Sequence, residues 1–181
     1  MVVSRGADMK LVRWVRFNWD LDKLPTLEAL LPEHYHFASV RPAEEKELRA
    51  LITRSFVHDS SWGDAIHEVN ALVAGWLERA FDPEKSGLCL ALRHGTRMIG
   101  ASVLVPDPMA EDHLVPGPCV QMEYRNRGLG TALLGESLRQ LREAGLTRAV
   151  AIAKSNGPVA RYLYPKFNGT LLPGTSPLLA A

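Results

Sequence analysis

Residues 125–146 read RNRGLGTALLGESLRQLREAGL. Leu134, Leu138 and Leu141 recur at intervals of four and three, while Glu136, Arg139, Arg142 and Glu143 fall on the opposite side, the pattern of an amphipathic helix. Gly145 supplies the stop. The helix therefore begins near Gly128, behind a Gly-x-Gly and the flanking Arg125 and Arg127. The first turn of a helix carries backbone N–H groups with no internal acceptor. Together with the helix dipole, these attract an anion. Glycines at 128 and 130 omit the Cβ atoms that keep a phosphate at a distance, and the arginines add charge. A diphosphate resting on the amides of residues 127–131 accounts for the arrangement. A tight strand-to-helix turn with two surface arginines accounts for it as well.

Outward from this helix, PCVQMEY before it and LTRAVAIA after it read as strands, giving a β-α-β crossover from residue 119 to 153 that is expected to be right-handed. In the second strand Leu146, Val150 and Ile152 share one face and Ala149, Ala151 and Ala153 the other. Upstream, YHFASVR reads as a strand. PAEEKELRALITRSF reads as a helix with Pro42 at its start and Leu48, Leu51, Ile52 and Phe56 as its stripe. AIHEVNALVAGWLERAF is a second amphipathic helix. LCLALRHGTRMIGASVLVP is a hairpin turning at His94-Gly95-Thr96, and a Pro-rich loop follows from 106. Residues 156–164 form a last short helix. This order predicts a mixed α/β (α+β) fold, a mostly antiparallel central sheet with one parallel β-α-β crossover. The main domain is expected over 35–181. Residues 1–34, with mixed alternation from Leu11 to Asn18 and a helical turn at TLEALL, are read as an N-terminal arm.

The 181 residues are 46% hydrophobic and 23% charged, with a net charge of +1. That is the make-up of one globular domain, and it speaks against a nucleic-acid partner, which selects for excess Lys and Arg. Cys89 and Cys119 form no CxxC pair, so a disulfide framework or zinc site is not expected, and two buried thiols in a reducing cytosol are. His34 and His36 have strand spacing for a metal, but an isolated pair predicts none. No run approaches the roughly 18 apolar residues of a membrane span, and MVVSRGADMK lacks a secretory core. The reading is cytoplasmic.

The phosphate ligand can be narrowed. A dinucleotide fingerprint needs a third glycine where Leu133 stands, and Lys154 occupies the end of the next strand where an acid is needed. The P-loop pattern is absent. Instead, V-x-x-E-Y-R-N-R-G-L-G-T-A-L-L from Val120 resembles the acyl-CoA motif of the GNAT superfamily of N-acetyltransferases, Arg/Gln-x-x-Gly-x-Gly/Ala, matched by Arg125, Gly128 and Gly130. SNGPVARYLYPKFNG, with Asn156, Ala160 and Tyr164, is similar to that family's second hallmark. The likeness runs from about 35 to 168.

The resemblance implies a GNAT-like acyl-CoA N-acyltransferase fold. It implies acetyl-CoA as cofactor, and transfer of acetyl to a primary amine of a small molecule or peptide by direct attack in a ternary complex. The backbone of Val120 and Met122 would pair with the pantetheine arm, with Asn156 reaching it from the other side. Arg127, Gly128, Leu129, Gly130 and Thr131 would hold the pyrophosphate beside Arg125. Tyr164 is the candidate acid for the departing thiolate and Glu123 the candidate base, with Glu111, Asp112 and His113 in the preceding loop as other proton acceptors. His58, Asp59 and Trp62 are expected near the amine. Three departures stand out. Asn156 and Tyr164 are eight apart where seven is usual, Pro165 disfavours helical geometry at Tyr164, and the chain ends too early for the usual final two strands. The arm, or a second copy in a homodimer, would cover that edge. A rival reading keeps the cofactor site without proton handling, as a non-catalytic acyl-CoA sensor or interaction module.

Overall fold

The computed structural model describes residues 14–26, 30–57, 66–85, 87–155 and 157–173. Among the described residues three α-helices, α1 (Glu45–Val57), α2 (Ile66–Phe81) and α3 (Leu129–Glu143), pack on seven strands. Strands β2 (Tyr35–Ser39), β3 (Leu88–His94), β4 (Arg97–Leu104) and β5 (Cys119–Val120) form one sheet in that order. Strands β6 (Arg148–Lys154), β1 (Trp14–Asp20) and β7 (Thr170–Leu171) form the second, with β1 in the middle.

Each helix sits where its apolar stripe dictates. Leu48, Leu51 and Ile52 of α1 and Val69, Val73 and Leu77 of α2 are buried against Ala91, Ala101 and Val103 on one face of the first sheet. On the other face, Leu129 and Leu133 of α3 meet Leu90, Leu92 and Ile99. Leu134, Leu138 and Leu141 of the same helix turn to the second sheet, where Ala149, Ala151 and Ala153 leave room for them beside Phe17 and Trp19. Helix α3 therefore joins the two sheets through a single element. Each fully buried Leu removes enough apolar surface from water to contribute roughly 1.5–3 kcal/mol.

Two expectations are revised. Every ladder among the described residues is antiparallel, and β5 and β6 lie in different sheets, so the expected parallel crossover has no hydrogen-bonded counterpart. The strand expected over 118–124 is also shorter. It ends at Val120 because the Tyr124 N–H folds back to the Gln121 carbonyl and the Arg125 N–H to that of Met122, closing a 3-10 turn. Conversely, the segment before residue 35 contributes β1, which pairs with β6 along all seven residues and brings Trp19 into the core with no exposed surface. One edge of β6 is covered by this strand.

Candidate functional site

At the mouth of α3 the backbone is shaped by two left-handed residues, Asn126 (φ 61°) and Gly128 (φ 77°). Such alternation turns successive N–H groups toward one point, a concavity suited to an anion. The first helical bond runs from the Ala132 N–H to the Gly128 carbonyl, 3.0 Å, so the amides of Leu129, Gly130 and Thr131 have no acceptor within the helix. A Cβ on Gly128 would meet nothing within 4 Å. This glycine serves the backbone angle, and the space over it stays open. Arg127 is exposed, its guanidinium 5.6 Å from the centre of the Tyr124 ring. The Lys166 Nζ lies 3.3 Å from the Thr131 Oγ1. This second cation at the helix mouth was missed by the sequence reading. It lies 35 residues along the chain, and only the packing of the segment after Tyr164 against α3 brings it there.

Arg125 behaves differently from Arg127. Its Nε donates to the Val120 carbonyl at 2.9 Å and a terminal nitrogen to the Ser55 carbonyl at 3.3 Å. The register of β4 with β5 explains why that carbonyl is accessible. The Gln121 N–H reaches the Ile99 carbonyl and Gly100 faces Val120, so the amide and carbonyl of Val120 point away from β4, toward the open side of the strand. Arg125 thus caps the strand end and lies inward of the helix mouth. Met122 sits past the strand, in the 3-10 turn, with its side chain exposed. Glu123 is exposed too and borders a small cavity with Arg54, Ser55 and Gln121.

Tyr164 is 1% exposed. Its ring stands edge-on to Trp19 and Phe17, with centroids at 4.8 and 5.2 Å. Its backbone is helical (φ −61°, ψ −40°) despite Pro165, because Val159–Leu163 forms a π-helical turn in which the Tyr164 N–H reaches back five residues to Val159. A π turn takes up one residue more than an α turn, which accommodates the extra residue between Asn156 and Tyr164. Tyr162, two residues earlier, is exposed. The Tyr164 hydroxyl lies against Gly117, where an added Cβ would stand 2.5 Å from it. Burial pushes the Tyr164 pKa far up, and the charge of Asp112 adds to the shift.

Asp112 is the carboxylate whose charge reaches this hydroxyl. Its Oδ1 accepts the Leu114 N–H at 3.2 Å. Burial pushes its pKa up to about 7, against the Leu114 hydrogen bond, the charges of Arg16 and Arg79 and the Ile152 amide. His113 is locked beside it. Its N–H donates to the Val150 carbonyl (2.7 Å), and its Nδ1 accepts the Val150 N–H (2.9 Å). The Nε2 therefore carries the proton and donates to the Asp107 carbonyl at 3.1 Å. Burial holds the His113 pKa below its ordinary value. Cys119, the other buried group near Tyr164, has its thiol pushed up to about 12 by burial. Gly117 is the common neighbour of the Tyr164 hydroxyl and the Cys119 thiol, and the charge of Asp112 reaches Tyr164. Glu123 has no hydrogen bond to any of them among the described residues. Asn156, His58, Asp59 and Trp62 lie outside the described residues.

Residues 37–169 match the model of the acetyltransferase (GNAT) family. No curated protein matches the chain. Among solved structures, a GCN5-related N-acetyltransferase from Sphaerobacter thermophilus aligns with a TM-score of 0.61 at 18% identity, over 90% of this chain and 50% of its own. One from Kribbella flavida aligns with a TM-score of 0.55 at 16% identity, over 91% and 60%. A functionally unknown protein from Staphylococcus epidermidis gives 0.61 at 13%, over 89% and 58%. The chain thus spans half to three-fifths of the length of these structures, which share its fold. Among the described residues no helix is long and apolar enough to cross a membrane. With the family pattern covering nearly three-quarters of its length, the chain belongs to the acetyltransferase (GNAT) family.

Proposed function

We propose that this chain transfers an acetyl group from acetyl-CoA to the primary amine of a small molecule or peptide, by direct attack within a ternary complex. The observation that carries the reading is the mouth of α3. Three helix-start amides, the left-handed Gly128 with open space above it, Arg127 and Lys166 together suit a diphosphate. Acetyl-CoA supplies the activated thioester. The outward amide of Val120 is free of β4 and available to pair with a pantetheine arm, and Met122 and Asn156 are the other residues assigned to hold that arm. Arg125 keeps the strand end in shape by occupying the Val120 carbonyl.

Tyr164 is the proton donor to the departing thiolate. Its ring is fixed by Trp19 and Phe17, and burial keeps its hydroxyl protonated. For the proton acceptor, the charge coupling of Asp112 to Tyr164 favours it over the exposed Glu123. A base with a pKa near the working pH is also the efficient one. The test is calorimetric titration with acetyl-CoA, followed by free-thiol release with a panel of primary amines. Saturable binding with amine-dependent thiol release is expected. Binding without turnover on any amine would instead support a non-catalytic acyl-CoA sensor, and no binding at all would remove the reading.

A further inference from the structure

On the face of the second sheet opposite α3, a groove of about 200 Å³ opens between the strands and the loop before β5. Arg16 of β1 and Arg148 of β6 line it, with Glu111 and His113 from the loop and Leu172 at the rim. The two arginines are not equally engaged. The Arg16 Nε is buried and has no hydrogen-bond partner among the described residues. A terminal nitrogen of Arg16 lies 4.0 Å from the Glu111 carboxylate, whose side chain is 89% exposed, an arrangement that contributes little. Arg148 is aimed by its neighbours. Its Nε donates to the Asn18 Oδ1 at 2.5 Å, while the Asn18 Nδ2 donates to the Thr170 Oγ1 at 3.2 Å. A buried donor left unpaired costs free energy, and here the missing partner is an acceptor. Asp112 follows Glu111 and precedes His113, feels the charge of Arg16, and in turn raises the pKa of Tyr164. Along the chain, Asp112 is thus flanked by two residues that line the groove.

We infer that this groove receives the acidic group of an amine acceptor, a carboxylate or a phosphate, on Arg16 and Arg148, so that the amine points toward Asp112. This rests on the acetyltransferase reading above. Two guanidinium groups are matched to an oxyanion, and the exposed Glu111 offers the arriving ammonium a first attraction. The acceptor class is then a short amine carrying an anion, distinct from simple alkylamines.

The experiment compares three primary amines, the two anionic ones with matched amine-to-anion spacing: γ-aminobutyrate with a carboxylate, O-phosphoethanolamine with a phosphate, and ethanolamine with neither. The two anionic amines are expected to exceed ethanolamine about tenfold or more in kcat/KM, and the better of them names the anion. Arg16→Gln and Arg148→Gln are each expected to raise KM for that amine about tenfold, the effect of losing one charge-assisted bond, while acetyl-CoA affinity and the circular dichroism spectrum stay at parent values. Ethanolamine used as well as the anionic amines, or an anionic preference unmoved in both variants, overturns the inference and leaves acetyl transfer standing. If acetyl-CoA binds and no amine is turned over, the acetyltransferase reading fails. The groove is then judged by calorimetric titration of the two anionic amines. Heat that disappears in Arg16→Gln upholds the anion site, and no heat from either overturns it.

Discussion

Gly117 has no space for a side chain. A methyl group there would stand 2.5 Å from the Tyr164 hydroxyl, well inside contact distance, so Gly117→Ala displaces the hydroxyl while leaving the mouth of α3 untouched. A misplacement of about 1 Å is enough to cost about 10²-fold in rate. The expected outcome is a drop in kcat of that order with acetyl-CoA affinity retained, measured by thiol release and calorimetry on the same preparation. Tyr164→Phe separates chemistry from packing at the same place. The ring contacts with Trp19 and Phe17 survive, so thermal stability should stay near that of the parent, while loss of the acid lowers kcat about 10²-fold or more. Unchanged turnover in Tyr164→Phe removes the hydroxyl from the mechanism. Gly128→Ala probes the other end. Nothing crowds its Cβ, so its cost is backbone strain at φ 77°, about 1–2 kcal/mol, together with weaker acetyl-CoA binding if relaxation turns the amides of α3 aside.

Among the elements, those whose reasons are local could be read from the sequence. The leucine stripe of α3 announced its burial, and Leu138, with no exposed surface between α3 and the second sheet, is where Leu→Ala should cost about 2–5 kcal/mol, read as a shift in the denaturant midpoint. The β3–β4 hairpin, α1 and α2 followed their periods in the same way. What escaped depended on distant partners. Strand β1 looked ambiguous because aromatic and cationic residues alternate along it. Its pairing with β6, more than a hundred residues away, sends Phe17 and Trp19 to α3 and leaves Arg16 and Asn18 on the other face. The stop at Val120 depends on backbone bonds in the turn that follows, and the extra residue before Tyr164 is absorbed by a π turn that no side-chain period announces. The site divides along the same line. Gly128 and Arg127 were legible because a helix start is local. Lys166, the inward Arg125 and the charge coupling of Asp112 to Tyr164 were not, because each needs the tertiary fold.

At the scale of the whole molecule, the two sheets meet along the segment before β5, and the groups that tie it down titrate in opposite senses. His113 has a folded pKa below the ordinary 6.5. Above that value both folded and unfolded chains hold it neutral and it contributes no pH dependence. Below it the unfolded chain takes up a proton that the fold refuses, because Nδ1 already accepts the Val150 N–H, so stability falls as pH drops from 6.5 toward the folded pKa. Asp112 has the reverse sign. Its folded pKa of about 7 exceeds its ordinary 3.8, so from about pH 4 to 7 the unfolded chain releases a proton that the fold keeps. Stability falls as pH rises through that window and is level above it. Asp112→Asn removes the second effect without removing the hydrogen-bond acceptor. Its melting temperature should exceed that of the parent at pH 8, and the gap should close as pH falls toward 4. His113→Asn keeps an acceptor near the Nδ1 position but loses the bond to the Asp107 carbonyl, so it should be less stable than the parent at pH 8 and approach it as pH falls below 6.5. The same Asp112→Asn variant reads the chemistry. If Asp112 takes the proton of the amine, kcat/KM in the parent rises with pH through an apparent pKa near 7 and that inflection is lost in the variant along with most of the rate. If instead the variant gains stability at pH 8 and keeps both rate and inflection, Asp112 is a strained structural carboxylate, and the base is a different group or water.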